Sequence, residues 1–252
     1  MKFNEELFRE VLSDDFFREY FDSRENNIRF NTTVINATCM TLLERSKAKE
    51  DYPFVKKCVD KILNQCNQML KLTEVYRNLF DAVYDFPAEK KFIEINDFLN
   101  NFCEKANKSV KGKCRLDYVT RKEYTIFTSE KLLTFAMIMC VHHTILSGVS
   151  KIKIKFTNKD DKCTITLNFM EFNDDNSFIL THEHITTEYA DDIISTIVRK
   201  IGCEYRTSDK YAEFVVPLER KGMSMMSAPK RHDENNRFNT FNNILSDITK
   251  IK

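Results

Sequence analysis

The sequence predicts an α+β protein: an N-terminal helical hairpin that forms a dimeric four-helix bundle, followed by an α/β sandwich. Two observations lead to this fold class. Within residues 51–84, apolar side chains recur with a 4-3 spacing over four heptads. Beyond residue 88, short segments with a period of two alternate with helical segments. The heptads require helical partners, and the alternation is typical of helices packed on one face of a mixed sheet.

The long helix predicted from about residue 51 to residue 84 carries the clearest pattern. Further apolar side chains widen its face beyond a two-stranded seam, which favours bundle packing. The segment 26–47 is the natural antiparallel mate, and two such helices bury little apolar surface alone, so we expect two hairpins to pair. The predicted dimer seam comprises Val55, Val59, Ile62, Cys66, Met69, Thr73, Tyr76, Phe80 and Val83. The residues of the mate predicted to face inward are Phe30, Val34, Ile35, Thr38, Leu42 and Leu43.

The chain divides into four predicted regions. A helical stripe in residues 4–22 predicts a separate N-terminal helix, so residues 1–25 are assigned to it and residues 26–86 to the hairpin. Residues 87–219 form the sandwich, with the element order β-α-β-β-α-β-β-α-β-β. Residues 220–252 form a polar tail, which we expect to end frayed, although residues 238–251 would also suit a short docking helix.

Composition narrows the choice of function and location. The 39 basic and 38 acidic residues leave a formal charge of +1, which gives no global electrostatic reason to expect nucleic acid or an anionic membrane as partner. No apolar run approaches the roughly 18–20 residues of a membrane span, and the N-terminus lacks a signal peptide's apolar stretch. We therefore expect a cytoplasmic protein whose eight scattered cysteines are reduced, buried thiols.

In order and spacing, residues 26–219 resemble the core of bacterial sensor histidine kinases, which joins a dimerisation and phosphotransfer hairpin to an ATPase domain of the GHKL type. The resemblance lies in the long helix Thr128–Ser147, the alternating strand Lys151–Phe156, the segment Thr164–Asn173 and the closing segments Ile197–Tyr205 and Ala212–Leu218. It implies the histidine kinase fold and a place in two-component signalling.

The resemblance also indicates where nucleotide chemistry would lie. The family's Mg²⁺-binding Asn corresponds to Ile138 or His142, neither of which supplies the oxygen ligand that Mg²⁺ prefers. The family's adenine-binding Asp corresponds to Glu171, a longer carboxylate. The glycines that follow it in the family correspond to Asn173 and Asp175, whose side chains would narrow the adenine pocket. The resemblance therefore implies a degenerate nucleotide site.

Two further residue types are missing where the family needs them. The chain has four glycines and none between Gly148 and Gly202, whereas the family's phosphate loop and lid depend on glycine for close backbone approach. The family's hairpin carries a phosphoacceptor His, but no His precedes His142. The equivalent region holds Asn31 to Asn36, and an Asn amide cannot accept a phosphoryl group as an imidazole nitrogen does.

No metal site is predicted from the histidines. His142 and His143 are adjacent on a helix and point about 100° apart, so they do not chelate from one face. His182 and His184 have strand-like spacing but no third ligand beside them, which favours a loop in the lid region.

The favoured function is that of a catalytically degenerate, histidine-kinase-like adaptor without catalytic residues or cofactor, which dimerises and binds a response regulator or a partner kinase. A second possibility is a protein that keeps weak ATP and Mg²⁺ binding without phosphotransfer, with Glu171 recognising adenine. A third is a protein resembling histidine phosphotransferases, against which the absence of His from the hairpin argues. An unrelated α+β binding protein is the remaining alternative.

Overall fold

The structure is a computed structural model that describes residues 15–83, 88–119, 124–159, 162–172, 190–217, 240–245 and 248, with side chains from residue 25 onward except that of residue 243. It comprises two compact units, a helical hairpin within residues 4–84 and an α/β unit within residues 85–252. No helix in these described segments is long and apolar enough to cross a membrane.

The hairpin consists of α1 (Asp15–Ser46) and α2 (Tyr52–Val83), joined by a short hydrogen-bonded turn. Helix α1 is continuous across residues 22–26, so the prediction of a separate helix ending before residue 26 is wrong. These residues include no Gly or Pro to end a helix, and Glu25 pairs with Arg29 one turn later. The boundary expected at residues 25–26 therefore falls inside one helix.

The face that α1 buries differs from the one predicted. Its buried side chains are Thr32, Cys39 and Ser46, which follow one another at intervals of seven residues. Small side chains at heptad spacing let α2 approach closely, which leaves the bulky residues on the rest of the circumference. Phe30, Val34, Ile35, Thr38 and Leu42 are consequently exposed and Leu43 is half-buried, so the predicted inward set is wrong for the single hairpin.

The predicted seam of α2 separates into two rows. One row faces the hairpin interior and is buried: Val59, Cys66, Thr73 and Phe80. The other row runs through Val55, Ile62, Met69, Tyr76 and Val83 and lies about 40–60° around the helix from the first. In this second row Val55 is half-buried, Val83 is buried and three side chains are largely exposed. These three, Ile62, Met69 and Tyr76, keep 44%, 47% and 43% of their surface exposed. One hairpin therefore covers only part of the seam.

The order of elements in the α/β unit confirms the prediction, with boundaries that differ by three residues or fewer. The order is β1 (Lys91–Glu94), α3 (Ile95–Val110), β2 (Arg115–Tyr118), β3 (Thr125–Thr128), α4 (Glu130–Leu146), β4 (Val149–Lys159), β5 (Lys162–Phe172), α5 (Ala190–Lys200), β6 (Glu204–Ser208), β7 (Tyr211–Pro217) and α6 (Thr240–Leu245).

A five-stranded mixed sheet with the order β2-β4-β5-β7-β6 forms the base of this unit. Strands β2 and β4 are parallel and the other pairs are antiparallel, while β1 and β3 form a separate antiparallel ribbon. Each long strand buries one row of side chains, such as Ile152, Ile154 and Phe156 on β4. The intervening lysines of β4 stay partly or fully exposed, so one face of the sheet is covered and the other is polar, as the period of two predicted.

The C-terminal tail contradicts the expectation of a frayed end. Helix α6 packs against both α3 and α4. Its apolar side chains Phe241, Ile244 and Leu245 are buried, as is Ile248 beyond the end of the helix, and the four recur at i, i+3, i+4 and i+7. Each such side chain contributes about 1.5–3 kcal/mol by leaving water, which explains why a polar tail contains an ordered helix.

Candidate functional site

Helix α4 is the element that would carry the metal ligand of a histidine kinase. Here it is apolar around its whole circumference, and twelve of its side chains are buried. A helix that is apolar on every side is surrounded by protein, and α4 packs against β4, α5 and α6. Apart from Glu130 in its first turn, α4 holds no side chain with a carbonyl oxygen. The middle of α4 therefore offers packing surface in place of ligands.

The two predicted metal-site positions lie one turn apart within this packing. Ile138 is completely buried, and His142 is 2% exposed. An Ile side chain has no lone pair to offer, and a buried imidazole is a nitrogen ligand, whereas Mg²⁺ prefers oxygen in octahedral geometry. The neighbouring His143 is half-buried, so the adjacent histidines have different surroundings, as their spacing predicted. Among the described residues no group of three or more His, Cys, Asp or Glu could hold a metal ion.

The described glycines serve helix termination. Gly112, Gly148 and Gly202 follow α3, α4 and α5, each with a positive φ angle between 77° and 95°. The backbone amide of Gly202 donates to the carbonyl of Arg199, and that of Cys203 donates to Val198, which satisfies the last carbonyls of α5. These glycines are thereby committed to ending helices, and none of them lies at the start of a helix, where phosphates bind.

The start of α5 is acidic. In the family, a Gly-x-Gly sequence occupies this helix start, whereas α5 begins at Ala190 followed by Asp191 and Asp192. The Tyr205 hydroxyl donates a 2.9 Å hydrogen bond to the Asp191 carboxylate. Burial, and then the nearby Cys140 and Asp191, raise the pKa of Tyr205, so its hydroxyl remains a donor. Two carboxylates at a helix N-terminus complement the helix dipole and disfavour a phosphate there.

Glu171, the predicted adenine-binding residue, lies at the exposed end of β5. Its carboxylate accepts a 2.8 Å hydrogen bond from Nζ of Lys151 on the neighbouring strand β4. The strand pairing shifts register around Lys151, so the two strands are irregular at this point. Asn173, Asp175 and the pair His182 and His184 lie outside the described residues.

The phosphoacceptor-equivalent region lies on α1. Asn31 is exposed and Asn36 is half-buried. Both carry neutral amides, which are poor nucleophiles, so this region lacks the group that phosphotransfer requires. The neighbouring hydroxyls of Thr32 and Thr33 donate hydrogen bonds to the carbonyls of Ile28 and Arg29 in the same helix.

An ion-pair network beside Asn31 was missed by sequence reasoning. The Arg29 guanidinium donates to Glu25 on its own helix and to Glu74 on α2, both at 2.8 Å. Arg77 on α2 pairs in turn with Glu25 at 3.2 Å and with Asp81 at 3.3 Å. The carboxylates of Glu25 and Glu74 are about one-tenth exposed. The network therefore crosses the hairpin at a largely buried position.

The electrostatics of Arg29 reflect this position. Burial alone would lower the pKa of its guanidinium, but hydrogen bonds and the negative charges of Glu74 and Glu25 outweigh burial and raise the pKa. The i, i+4 spacing of Glu25 and Arg29 is visible in the sequence. Their partners on α2 depend on the register of the hairpin, which the sequence does not specify.

The cysteines are free thiols, and all except Cys58 are buried, as expected. Burial raises the pKa of Cys103, Cys114 and Cys140 to about 12. Burial likewise raises the pKa of Cys163 and Cys203 to about 11. These thiols stay protonated at neutral pH, so they lack the thiolate character of reactive cysteines.

Comparison with known proteins supports a fold and no more. No protein-family model and no curated protein matches the sequence. Full-length ShkA, solved in complex with AMPPNP, matches with a TM-score of 0.55 and 12% identity, over 79% of this chain and 45% of that of ShkA. The chain thus spans less than half of ShkA. The Acinetobacter baumannii histidine kinase AdeS matches with a TM-score of 0.49 and 10% identity, over 75% of this chain and 96% of AdeS. The chain has a histidine-kinase-like fold.

The buried thiols lead to a prediction about reactivity. At pH 8 a thiol with a pKa of about 12 is ionised to roughly one part in ten thousand, so it reacts slowly with a disulfide reagent. We expect one of the eight thiols, Cys58, to react rapidly with Ellman's reagent in the native chain, and all eight after denaturation. Cys58→Ser should remove the rapid phase. Rapid reaction of several native thiols would show that the cysteines are not buried as described.

The network around Arg29 leads to a prediction about stability. Arg29→Ala leaves the largely buried carboxylates of Glu25 and Glu74 without this partner, so we expect urea denaturation to show a loss of about 1–3 kcal/mol. A double-mutant cycle with Glu74→Gln should give a coupling of about 1 kcal/mol. Lys108→Ala, which removes the exposed i, i+4 pair with Glu104, is the control and should change nothing measurable. If Arg29→Ala and Lys108→Ala lowered the free energy of unfolding by the same amount, a special role for the network would be contradicted.

Proposed function

We propose that this chain is a catalytically degenerate histidine-kinase-like protein that acts as a dimeric adaptor in two-component-type signalling. In this function the hairpin and the α/β unit serve as binding surfaces for a response regulator or a partner kinase. Neither unit transfers phosphate. The observation that carries the proposal is the all-round apolar burial of α4, with Ile138 at its centre.

The chemistry around α4 supports the loss of nucleotide turnover. An ATP-bound Mg²⁺ requires oxygen ligands, and the middle of α4 supplies none. The triphosphate would meet Asp191 and Asp192 at the start of α5, where the kinase family has glycines. Both features would weaken triphosphate binding. The middle of α4 would not hold the Mg²⁺ that neutralises the phosphates, and the two aspartates at the start of α5 would repel them.

The hairpin supports dimerisation. Ile62, Met69 and Tyr76 recur every seven residues and stay exposed in the single chain. Ile35 and Leu42 on α1 have the same seven-residue spacing and are exposed as well. Rows of large apolar side chains at heptad spacing on both helices are what a second hairpin would cover in a four-helix bundle. An adaptor of this kind would dimerise through these rows, which we call the outer rows.

A second candidate is a protein that binds ATP weakly without phosphotransfer. One observation favours it: the chain shares its fold with ShkA, which was solved in complex with AMPPNP. Glu171 is the carboxylate that would accept from the adenine amino group. Its ion pair with Lys151 is exposed, so replacing Lys151 by the adenine amino group as the partner of Glu171 would cost little free energy.

Isothermal titration calorimetry with ATP and Mg²⁺ separates the two candidates. For the adaptor we expect no binding tighter than about 1 mM, which corresponds to about 4 kcal/mol of binding free energy. A micromolar dissociation constant would remove the claim of degeneracy. If binding occurs, Glu171→Ala should abolish it under the second candidate, while Glu204→Ala, which removes an exposed carboxylate of β6, should leave it unchanged.

Sedimentation equilibrium tests the dimer. Ile62→Asp places a charge in the outer row of α2, so we expect dissociation to become at least about ten-fold easier, which equals about 1.4 kcal/mol. Lys57→Gln makes the same one-unit change in charge at an exposed position on another side of α2 and should not affect the dimer. A wild-type chain that stays monomeric at high concentration, or a folded Ile62→Asp variant that dimerises normally, would contradict the proposed interface.

A further inference from the structure

Helix α6 packs against both α3 and α4, and we call the surface that these two helices offer to it the groove. The apolar side chains of α6, with Ile248 beyond its end, are buried. The ring of Phe241 lies 5.4 Å from that of Phe102 on α3, in a tilted arrangement. The apolar stripe and this aromatic contact give the segment a defined seat in the groove.

A polar contact sets the direction in which the segment binds. The hydroxyl of Ser109, near the end of α3, donates a 2.9 Å hydrogen bond to Oδ1 of Asn242. Ser109 is itself among the buried polar residues. The bond is partly buried, because Ser109 is buried whereas Asn242 is exposed. The buried hydroxyl of Ser109 loses free energy when its partner is removed, which favours the register that places Asn242 beside it. The groove thus binds α6 through apolar contacts and through one hydrogen bond, from Ser109 to Asn242.

The segment depends on the groove for its helical structure. Helix α6 has six residues, and isolated helices shorter than about 12–15 residues are marginal in water. Residues 218–239 separate it from the last strand of the sheet, so about 20 residues of chain, with a maximal reach of about 70 Å, connect the two. A helix of six residues therefore stays ordered only while the groove holds it.

We propose that the groove between α3 and α4 is a reversible helix-docking surface, and that α6, together with Ile248, is its built-in ligand. The segment covers the groove in the resting chain. Its release exposes an apolar surface that accepts the same segment supplied in trans. The recognition elements are the aromatic contact of Phe102, the hydrogen bond of Ser109 and the apolar seat for Ile244 and Leu245.

Hydrogen–deuterium exchange of the wild-type chain provides the first test. The amides of Ile244 and Leu245 report on release, because each can donate to a carbonyl four residues earlier within α6. If α6 leaves the groove while the rest stays folded, these two amides exchange at least about ten-fold faster than those in the middle of α4, because only local opening is required. If they exchange as slowly as the amides in the middle of α4, α6 is a permanent part of the core. That result would overturn the proposal.

Binding of a labelled peptide provides the second test. The double variant Ile244→Asp, Leu245→Asp should free the groove, and fluorescence anisotropy should then show binding of a peptide of residues 238–252. We expect the dissociation constant to be at least about ten-fold lower than for the wild type, whose groove is occupied. The same peptide carrying both aspartates should not bind.

The control variant adds the same two charges elsewhere. Thr157→Asp with Asn158→Asp lies at exposed positions of β4 and should behave as the wild type. Equal peptide binding by the groove variant and this control would overturn the proposal. Circular dichroism shows whether the groove variant is folded, and if it is not, the exchange experiment on the wild-type chain decides.

Discussion

The α/β unit depends on the complete burial of α4. A helix that is apolar on every side needs a covering on every side, and β4, α5 and α6 all pack against it. This requirement explains two features that otherwise look unrelated. The middle of α4 holds the completely buried Ile138, and α6 from the C-terminal region packs against α4. Under the proposed function, the side chains in the middle of α4 serve packing instead of binding a metal.

The hairpin solves a different packing problem with two rows of side chains. Small residues on α1 pack against one heptad row on α2, so the two helices approach closely, and Leu70, Val75 and Leu79 of α2 are buried as well. Other large apolar residues, such as Ile62, Met69 and Tyr76, remain outside, where a single hairpin leaves them in water. The ion pairs of Arg29 and Arg77 fix how α1 and α2 align, because buried carboxylates require these partners. In the proposed dimer, the alignment of the two helices and the association of two hairpins would therefore depend on different side chains.

Parts of the candidate site were accessible from the sequence, and others were not. The loss of oxygen ligands at Ile138 follows from residue type alone, as does the absence of His from the hairpin. The commitment of the described glycines to helix ends required their φ angles, and the pairing of Glu171 with Lys151 required the strand register. The acidic start of α5 was visible as two adjacent aspartates, but only the helix boundary gave them a position at a helix N-terminus.

The order of the elements in the α/β unit was determined by the sequence itself, because the spacing of apolar residues distinguishes the period of 3.6 of a helix from the period of 2 of a strand. The heptad rhythm of α2 was equally local. What the tertiary structure decided was which of these apolar residues are covered. Phe30 and Val34 are exposed on α1, whereas Phe241 and Ile244, which lie in a polar tail, are buried in the core of the α/β unit. Spacing defines a face on a helix, but the partner that covers the face comes from register and from segments distant in the chain.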